Sequence, residues 1–528
     1  MPTRKVAVIG GGPAGLYAAR LIRLIDPAAE VVVCERNEPD SATFGFGVGL
    51  TESTMKNMAA ADPHSAERIR AVSYAGHNLA LRTPEATGTS EVLLHGARNL
   101  AIGRAELLEV LRALAVEAGV DYRPGAKVDL GDVDVDADVV IAADGVRSAV
   151  RTKLSAELGV HETLGRGRYM WCGADFAVDT AFFTARAHPD EGAGFFVAHA
   201  YPYRGDRSTF LIEADDVTWA DAGLDSFDAL VGPGETDVRS IALLQSVFAD
   251  DLRGRPLLAN RTRWARFSTL TLDRWSSGNV VLLGDAAHTA HYTLGSGTKL
   301  ALEDAIALAE ALAAESEVSA AFARYEQRRR PAVERFKHLA ARSQRWWESY
   351  RARMGEPAER IALSYMTRSG NLTVADYARD QPEVVRRALT ALGESPPHEV
   401  GGIDDWVLGR PLHDGGLGLS SRVTTHEELA AQGVALCEID WSAADVWAEL
   451  ADEHVAHVRS LDPSTVVTLS GPDDTVAVGG RFDLAERIRF ELRTPVVVAV
   501  PHSARAHAAA AIAASRCDAV ILTALGEQ

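Results

Sequence analysis

This sequence of 528 residues has few cysteines, fewer cationic than anionic residues, and no long apolar run. Its four cysteines, Cys34, Cys172, Cys437 and Cys517, are far apart. That spacing argues against a disulfide framework or a zinc site, and we expect no bound metal. Lys and Arg number 54 against 73 Asp and Glu, a formal net charge of −19, which disfavours nucleic acid and anionic membranes as partners. The scattered cysteines fit a reducing, cytoplasmic location. No apolar run approaches the roughly 18 residues of a membrane span, so we expect no membrane partner.

A glycine-rich turn joins a predicted strand, KVAVIG, to a predicted helix, LYAARLIRLI. Gly10 permits the tight turn, Gly12 lets the backbone approach a pyrophosphate, and Gly15 lets the helix pack closely on the strand. Glu35 ends the next strand about 20 residues on, where an acid binds a ribose hydroxyl. The pattern predicts a dinucleotide site, against the alternative of a glycine turn without a nucleotide. The expected contacts are Gly10, Gly12, Pro13, Ala14, Gly15, Glu35 and Arg36.

Two further turns place an acid after a predicted strand. AADGVRSAVR puts Asp144 and Gly145 at one strand end, and LLGDAAH puts Asp285 at another. A nicotinamide dehydrogenase domain does not need these two acidic turns. With the glycine-rich turn, they give three motifs in an order that resembles the FAD-dependent aromatic hydroxylases of the p-hydroxybenzoate hydroxylase fold. The resemblance extends over about residues 4 to 390.

This resemblance implies a reaction and its cofactors. FAD is reduced by NADPH or NADH, the reduced flavin reacts with O2 at C4a, and the resulting hydroperoxide hydroxylates an aromatic ring. It also implies that Glu35 binds the adenosine ribose and that Arg104 lies near the pyrophosphate and ribitol. Asp144, with Gly145, would serve FAD and NADPH, and Asp285 would bind the ribitol. A solvated helix arginine is the alternative for Arg104.

The loop after Asp285 is expected to face the flavin. Backbone N–H groups at a helix N-terminus favour negative charge, so TLGSGTK would contact the pyrimidine edge of the ring system. Lys299 would add a positive charge where the family more often has Asn; a solvated lysine is the alternative. The expected flavin contacts in this loop are Gly295, Ser296, Gly297, Thr298 and Lys299.

Three residues are candidates for contact with the substrate. His291 and Tyr292 stand where the family commonly has prolines, whereas His288 belongs to the family motif and is expected to be structural. His199 shares one face of a predicted strand with Tyr201. We therefore expect catalytic roles for His291, Tyr292 and His199. Wall packing for the first two, and a buried, satisfied histidine for His199, are the alternatives.

The fold class is predicted to be α/β: a Rossmann-like FAD-binding domain with an inserted antiparallel β-sheet substrate domain, a helical segment and a partial β/α C-terminal domain. Residues 1–165 and 276–345 would form the FAD-binding domain, and residues 166–275 the substrate sheet. Residues 346–400 would be helical segment and linker, and residues 401–528 a β/α tail.

Longer stretches, such as AHTAHYTLGSGTKLALEDAIAL and SYMTRSGNLT, resemble the aryl-CoA hydroxylases, namely salicylyl-CoA 5-hydroxylase and 2-aminobenzoyl-CoA monooxygenase. The second carries an ene-reductase barrel of the old yellow enzyme type. Here only about 130 residues follow the linker, against about 250 in a barrel. The expected FMN phosphate positions also read AVPHSA and TALGEQ. We therefore expect a degenerate tail without FMN that packs on the hydroxylase or mediates a homodimer.

The aryl-CoA resemblance implies an aromatic thioester substrate whose phosphates meet cations on a long predicted helix. Those cations are Arg328, Arg329, Arg330, Lys337, Arg342 and Arg345, with a solvated charged face as the alternative. Two other functions remain open. One is hydroxylation or epoxidation of a free aromatic acid or natural-product intermediate, and the other is a non-catalytic flavin-binding scaffold.

Overall fold

The computed structural model describes residues 4–38, 46–85, 88–133, 136–187, 194–228, 231–232, 234–295, 297–414 and 416–523. Over these residues the chain forms two compact units. The first comprises Met1–Ala86 and Gly96–Gln344, and the second comprises Thr87–His95 and Arg345–Gln528. Each unit has its own sheets and is described separately.

A mainly parallel sheet forms the centre of the first unit. In spatial order its strands are Ser276–Ser277, Val280–Leu282, Val139–Ala142, Lys5–Ile9, Glu30–Cys34 and Asp121–Arg123. All neighbours pair in parallel except Ser276–Ser277, which is antiparallel to Val280–Leu282. The three adjacent strands Val280–Leu282, Val139–Ala142 and Lys5–Ile9 run in one direction, so Asp285, Asp144 and Gly10 follow them at the same edge. Ligands of open α/β sheets bind at this carboxyl edge.

Helices cover this sheet. The first has Pro13 at its start, where a missing N–H costs nothing, and it packs against the helix Gly297–Ala314. The α-helices that begin in this unit are Pro13–Ile25, Glu52–Ala61, Pro63–Val72, Arg104–Glu117, Leu130–Val133, Ala149–Lys153, Ser155–Leu158, Asp216–Asp221, Asp225–Asp228, Val238–Val247, Gly297–Ala314 and Val318–Glu348. Short 3₁₀ turns occur at Gly284–Ala286 and Tyr292–Leu294.

A second, mostly antiparallel sheet lies in the same unit, apart from residues 88–95 of one strand. In spatial order its strands are Leu257–Leu258, Val160–Ala174, Arg207–Ala214, Phe195–Arg204, Ala181–Ala187, Tyr74–Glu85, Gly88–Gly103 and Gly47–Leu50, and Ala265–Leu272 also pairs with Val160–Ala174. The predicted inserted sheet is therefore present. It also takes three strands from the range 47–103, which the sequence analysis assigned to the FAD-binding part. Strand pairing depends on neighbours that are distant in sequence, so local pattern does not reveal this exchange.

The second unit combines helices with a small parallel sheet. Its strands in order are Leu436–Asp440, Val466–Ser470, Val496–Pro501 and Ala519–Thr523, beside a hairpin of Leu412–Asp414 and Leu417–Leu419. Its α-helices are Ala358–Thr367, Val374–Asp380, Pro382–Leu389, Ile403–Leu408, His426–Ala431, Glu449–Arg459, Thr475–Leu492 and Arg505–Ala513. Its 3₁₀ turns are Tyr350–Arg353, Thr390–Leu392, Val400–Gly402 and His502–Ala504. Parallel strands alternating with helices confirm the partial β/α domain.

Two further observations concern membrane-spanning helices and the state of the cysteines. In the part of the chain that the structure describes, no helix combines the length and apolar character needed to cross a membrane. All four cysteines are buried and free.

Candidate FAD and substrate site

The glycine-rich turn has the geometry of a phosphate cradle. Gly10 has φ of +109°, and a Cβ there would lie 2.4 Å from the carbonyl oxygen of Ala143. A Cβ on Gly15 would lie 2.2 Å from the carbonyl oxygen of Gly10. Around Gly12 there is space, because the nearest atom to an added Cβ is 3.9 Å away. Gly12 caps the helix without a side-chain hydrogen bond, so N–H groups of the first turn remain for an anion.

Glu35 is already tied to this turn. Its Oε2 accepts the N–H of Gly11 at 2.7 Å, and its Oε1 accepts the backbone N–H of Asn37 at 2.9 Å. The carboxylate is thereby fixed at the strand end where a ribose hydroxyl is expected. Arg36 is exposed beside it.

Asp144 presents an unused acceptor at the second motif. One carboxylate oxygen accepts the N–H of Ala149 at 2.8 Å. The other is buried and accepts no hydrogen bond from any residue that the structure describes. Gly145 follows with φ of +82° and open space around an added Cβ. A buried acceptor beside an open glycine fits a polar group of a bound dinucleotide.

Asp285 stands at the third strand end. Its side chain is accessible, yet the surrounding protein desolvates it and raises the pKa of its carboxyl, an effect that the charges of Arg104 and His288 partly offset. Arg104 begins the helix Arg104–Glu117. Arg151, which the sequence analysis did not select, donates to the carbonyl oxygen of Ala286 at 3.0 Å. A carboxylate that is both accessible and desolvated is expected where a cofactor hydroxyl binds.

The loop between Asp285 and the next helix follows the predicted pattern only in part. Gly295 is left-handed with φ of +64°, and an added Cβ on Gly297 would lie 3.9 Å from Asp285 Oδ1. Thr298 is half-buried in the first turn. Ser296 lies outside the described residues.

Lys299, expected to supply a positive charge to the flavin, has a partner in its own helix. It forms an ion pair with Glu303, one helical turn further on. Glu303 also faces Arg329, whose Nη2 lies 3.3 Å from Glu303 Oε2, so one carboxylate serves two cations.

A buried network supports the third motif from behind. We use that name for His288, Asp304 and Arg329. His288 Nε2 lies 2.7 Å from Asp304 Oδ2, and Arg329 Nε donates to Asp304 Oδ1 at 2.7 Å. The N–H of Gly284 also donates to Asp304 Oδ2 at 3.2 Å. Burial disfavours the Asp304 charge, but His288 and Arg329 together hold its pKa below the usual value. His288 is structural, as expected.

Asp304 could have been found from the sequence. In LALEDAIAL it is an acid among the apolar residues that line the buried side of a predicted helix, and it is fully buried. A charged residue in such a place requires partners.

An aromatic cluster forms where the loop meets the large sheet. We define it as Tyr169, Trp171, Phe267, His291 and Tyr292. The ring centroid of Tyr292 lies 5.0 Å from that of Tyr169, 5.7 Å from that of Trp171 and 4.1 Å from that of His291. Phe267 and His291 are 4.9 Å apart. These rings provide an apolar wall for a planar ligand.

A carboxylate that the sequence analysis missed joins two of the candidate catalytic residues. Tyr292 Oη donates to Glu213 Oε1 at 2.9 Å, and His199 Nε2 lies 3.1 Å from the same oxygen. Burial disfavours the charge of Glu213, yet His199, His291 and Tyr292 keep its pKa below the usual value. We call Glu213, His199 and Tyr292 the Glu213 group.

The sheet register explains how the Glu213 group forms. Val197 pairs with Glu213 and His199 with Leu211 on antiparallel neighbours, so Glu213 and His199 lie on the same face of the sheet. Glu213 also follows Leu211 at a spacing of two in RSTFLIEA. Because residues two apart on a strand lie on the same face, this spacing could have placed Glu213 beside His199. Tyr201, on the same face, instead donates to the carbonyl oxygen of Gly47 at 2.7 Å.

The expected CoA-binding cations already have partners within the chain. Arg329 belongs to the buried network, and Lys337 is buried and donates to a threonine. Arg330 donates to Glu326 and to two backbone carbonyls. Arg345 pairs with an aspartate inside the second unit, and Arg328, although exposed, pairs with Glu310. The prediction is therefore wrong for Arg329 and Lys337, because their charges are used inside the fold.

Comparisons with known proteins agree with this geometry. A family model described as FAD binding domain matches residues 3–340. Salicyloyl-CoA 5-hydroxylase of Streptomyces sp is 40% identical over 388 residues, covering 71% of this chain and 72% of that protein. The 3-hydroxy-4-methyl-anthranilyl-[aryl-carrier protein] 5-monooxygenase of Streptosporangium sibiricum is 38% identical over 379 residues, covering 71% of this chain and 97% of that protein.

A solved structure supports the fold. The crystal structure of a variant of 2-methyl-3-hydroxypyridine-5-carboxylic acid oxygenase has a TM-score of 0.51 at 20% identity, covering 72% of this chain and 98% of the other. The match of the family model ends at residue 340, just before the second unit begins. The chain belongs to the FAD binding domain family and is an FAD-dependent aromatic monooxygenase.

Proposed function

We propose that this enzyme hydroxylates the ring of an aromatic thioester that carries a hydroxyl or amino group ortho to the thioester carbonyl. The observation that supports it most is that the Glu213 group and the aromatic cluster meet at His291 and Tyr292, which follow Asp285 by six and seven residues. One relative is named for salicyloyl-CoA and another for an anthranilyl group on a carrier protein. Both names give position 5. An ortho donor activates its para carbon, which is that position.

The three strand ends are proposed to hold FAD. Gly12, Ala14 and Gly15 would offer backbone N–H groups to the pyrophosphate, as the uncapped helix start allows, while Gly10 shapes the turn and Pro13, which has no N–H, begins the helix. Glu35 would bind the adenosine ribose, with Arg36 at the surface beside it.

Further residues would hold the rest of the cofactor. Arg104 and Asp285 would bind the ribitol side, and Asp144 with Gly145 would bind a polar group at the middle strand end. Gly295, Gly297 and Thr298 would face the ring system. When bound, FAD supplies the redox chemistry: it accepts a hydride from NAD(P)H, the reductant typical of this family, and activates O2.

The protein's own contribution is to place the ring and exclude water. The aromatic cluster would stack against the substrate ring and keep the site dry. His291, Tyr292 and His199 are proposed to line the substrate pocket, with Tyr292 and His199 oriented by Glu213. His291 Nδ1 lies 3.0 Å from Thr293 Oγ1, which fixes its ring.

Product analysis tests this proposal. The holoenzyme is incubated with NADPH or NADH, O2 and either a 2-hydroxy- or 2-aminobenzoyl-CoA, the matching carrier-protein thioester, or the free acid, and products are identified by mass spectrometry. We expect a mass gain of one oxygen on a thioester and substrate-stimulated oxidation of the nicotinamide. Turnover of the free acids alone would support the free-acid alternative and overturn the thioester proposal.

A further inference from the structure

Glu213 has one committed and one uncommitted carboxylate oxygen. Oε1 accepts the hydroxyl of Tyr292 at 2.9 Å and lies 3.1 Å from His199 Nε2. Within the described chain, Oε2 accepts no hydrogen bond from a protein group. The side chain is only 13% exposed. A carboxylate in such surroundings normally has all its acceptor positions filled, so the uncommitted oxygen needs a donor from elsewhere.

Aromatic side chains surround the Glu213 group. Tyr292, whose hydroxyl holds Oε1, packs against Tyr169 and Trp171 with ring centroids 5.0 and 5.7 Å away. Tyr169 is also the direct cross-strand partner of Glu213. The donor group must therefore project from something that fits between aromatic side chains, and an aromatic ring with a hydroxyl or amino substituent has that shape.

We propose that Glu213 determines substrate specificity by accepting, at Oε2, a hydrogen bond from the ring hydroxyl or amino group of the substrate. The inference rests on the proposed function and sharpens it, because it assigns a residue to the recognition of the ortho substituent. His199 and Tyr292 act as positioning residues, since they hold Oε1 and thereby set the direction of Oε2.

This hydrogen bond also assists the reaction. A ring O–H or N–H that donates to a carboxylate gains electron density on its oxygen or nitrogen, and the lone pair shifts into the ring towards the para carbon. The para carbon becomes a better nucleophile for an electrophilic oxygen. No proton has to leave the substrate for this effect, so the step needs no further acid or base.

The same geometry disfavours substrates without a donor. A methoxy group offers only lone pairs to Oε2, and an unsubstituted ring leaves the carboxylate unpaired when water is displaced. Loss of a hydrogen bond to a charged partner reduces affinity by about 10- to 100-fold. Affinity across a substituent series therefore reports on Oε2 directly.

The test is a binding titration of the oxidised holoenzyme without nicotinamide, followed by the change in flavin absorbance. The ligands are 2-hydroxybenzoyl-CoA, 2-aminobenzoyl-CoA, 2-methoxybenzoyl-CoA and benzoyl-CoA. The wild-type protein is expected to bind the first two about 10- to 100-fold more tightly than the last two. Glu213→Gln, which keeps an acceptor for Tyr292 but removes the charge, should reduce this preference at least threefold and leave benzoyl-CoA affinity nearly unchanged.

Glu162→Gln is the matched control. Glu162 lies on the strand Val160–Ala174 of the same sheet, exposed to solvent, and its substitution should preserve the preference. FAD content and Tm show that each variant is folded. If all four esters bind the wild-type protein equally, or if Glu213→Gln weakens all four equally, the specificity role is overturned while the thioester proposal stands. If none of the four CoA esters binds, the same acyl series is titrated on a carrier protein, and both proposals fall if those thioesters also fail to bind.

Discussion

The segment from Gly284 to Lys299 serves two regions that are built differently. On its first side, the Asp285 turn is held by the buried network, in which Asp304 receives hydrogen bonds from Gly284 N–H and Arg329 and contacts His288. On its second side, Tyr292 meets Glu213, which retains an uncommitted oxygen. The first region has its charges paired inside the protein, whereas the second has an acceptor to offer.

The region around Asp285 therefore holds the backbone in place, whereas the region around Glu213 is available to recognise a ligand. A fully paired buried charge fixes backbone position and tolerates no change of one partner alone. A partly paired charge at a cavity is costly without its ligand, and that cost is recovered when the ligand binds. Variants on the two sides should therefore fail in different ways.

The largest expected effect is on the scaffold side. Asp304→Ala removes the carboxylate that accepts the Arg329 Nε–H and contacts His288, and leaves buried Arg329 only its ion pair with Glu303. The free energy of unfolding should therefore fall by about 3–5 kcal/mol. Urea denaturation monitored by tryptophan fluorescence measures the loss. Glu310→Ala on the same helix is the matched control. Glu310 pairs with Arg328, the neighbour of Arg329, but that pair is exposed, so its loss should cost about 0–1 kcal/mol. If both variants lost the same free energy of unfolding, the buried pair would contribute no more to stability than the exposed one.

The stability that Asp304 contributes should also depend on pH. Its pKa is lower in the folded protein than its ordinary value of 3.8. The contribution is therefore complete above that value and is lost as pH falls through the folded pKa. The stability gap between wild-type protein and Asp304→Asn should stay constant from pH 8 to 6 and narrow in acid. A gap that widened in acid would mean that the pKa is raised instead.

The next effect concerns the cofactor. Asp285→Asn should weaken FAD binding by about 10- to 100-fold, because a charged acceptor becomes neutral. The FAD-free variant should nevertheless have a higher Tm than FAD-free wild-type protein at pH 7. The pKa of Asp285 is raised in the folded state, so its ionised form opposes folding at any pH above that pKa. Fluorescence titration with FAD and thermal scans of the FAD-free proteins check both signs, and a lower Tm for the variant would refute the second.

A smaller effect is expected on the recognition side. Tyr292→Phe removes one donor to Glu213, so stability should change by only about 1 kcal/mol and FAD should stay bound. Coupling should suffer, because the ring is less well placed, and the fraction of NAD(P)H consumption that yields hydrogen peroxide should rise. His291→Ala should behave similarly. If FAD were lost from either variant, the loop would be part of the cofactor site and not of the substrate pocket.

The smallest effect is expected at the surface helix. Arg328 is exposed and already paired with Glu310. Arg328→Ala should change the KM for an aryl-CoA by less than about twofold, since a screened surface charge contributes little. A tenfold rise in KM would restore this helix as a site for the CoA phosphates.

The sequence predicted the backbone part of the site well and the side-chain part poorly. Gly10, Asp144 and Asp285 follow strands that pair as neighbours, so their convergence follows from motif order and parallel topology. Glu213 and Asp304 were missed because each depends on a partner 79 or 16 residues away in the sequence. Strand register and helix packing decide such pairs. The ion pair of Lys299 with Glu303 was also missed, although its partner is only one helical turn away.

The buried network also has a consequence for how this chain varies over generations. His288 and Arg329 both pair with buried Asp304, so replacing one of the three alone costs stability, and we expect a lineage to change them together. Glu213 depends on the substrate for its remaining partner. Among homologous proteins, positions 288, 304 and 329 should therefore vary together. Position 213 should instead vary with the substrate that each homologue oxidises.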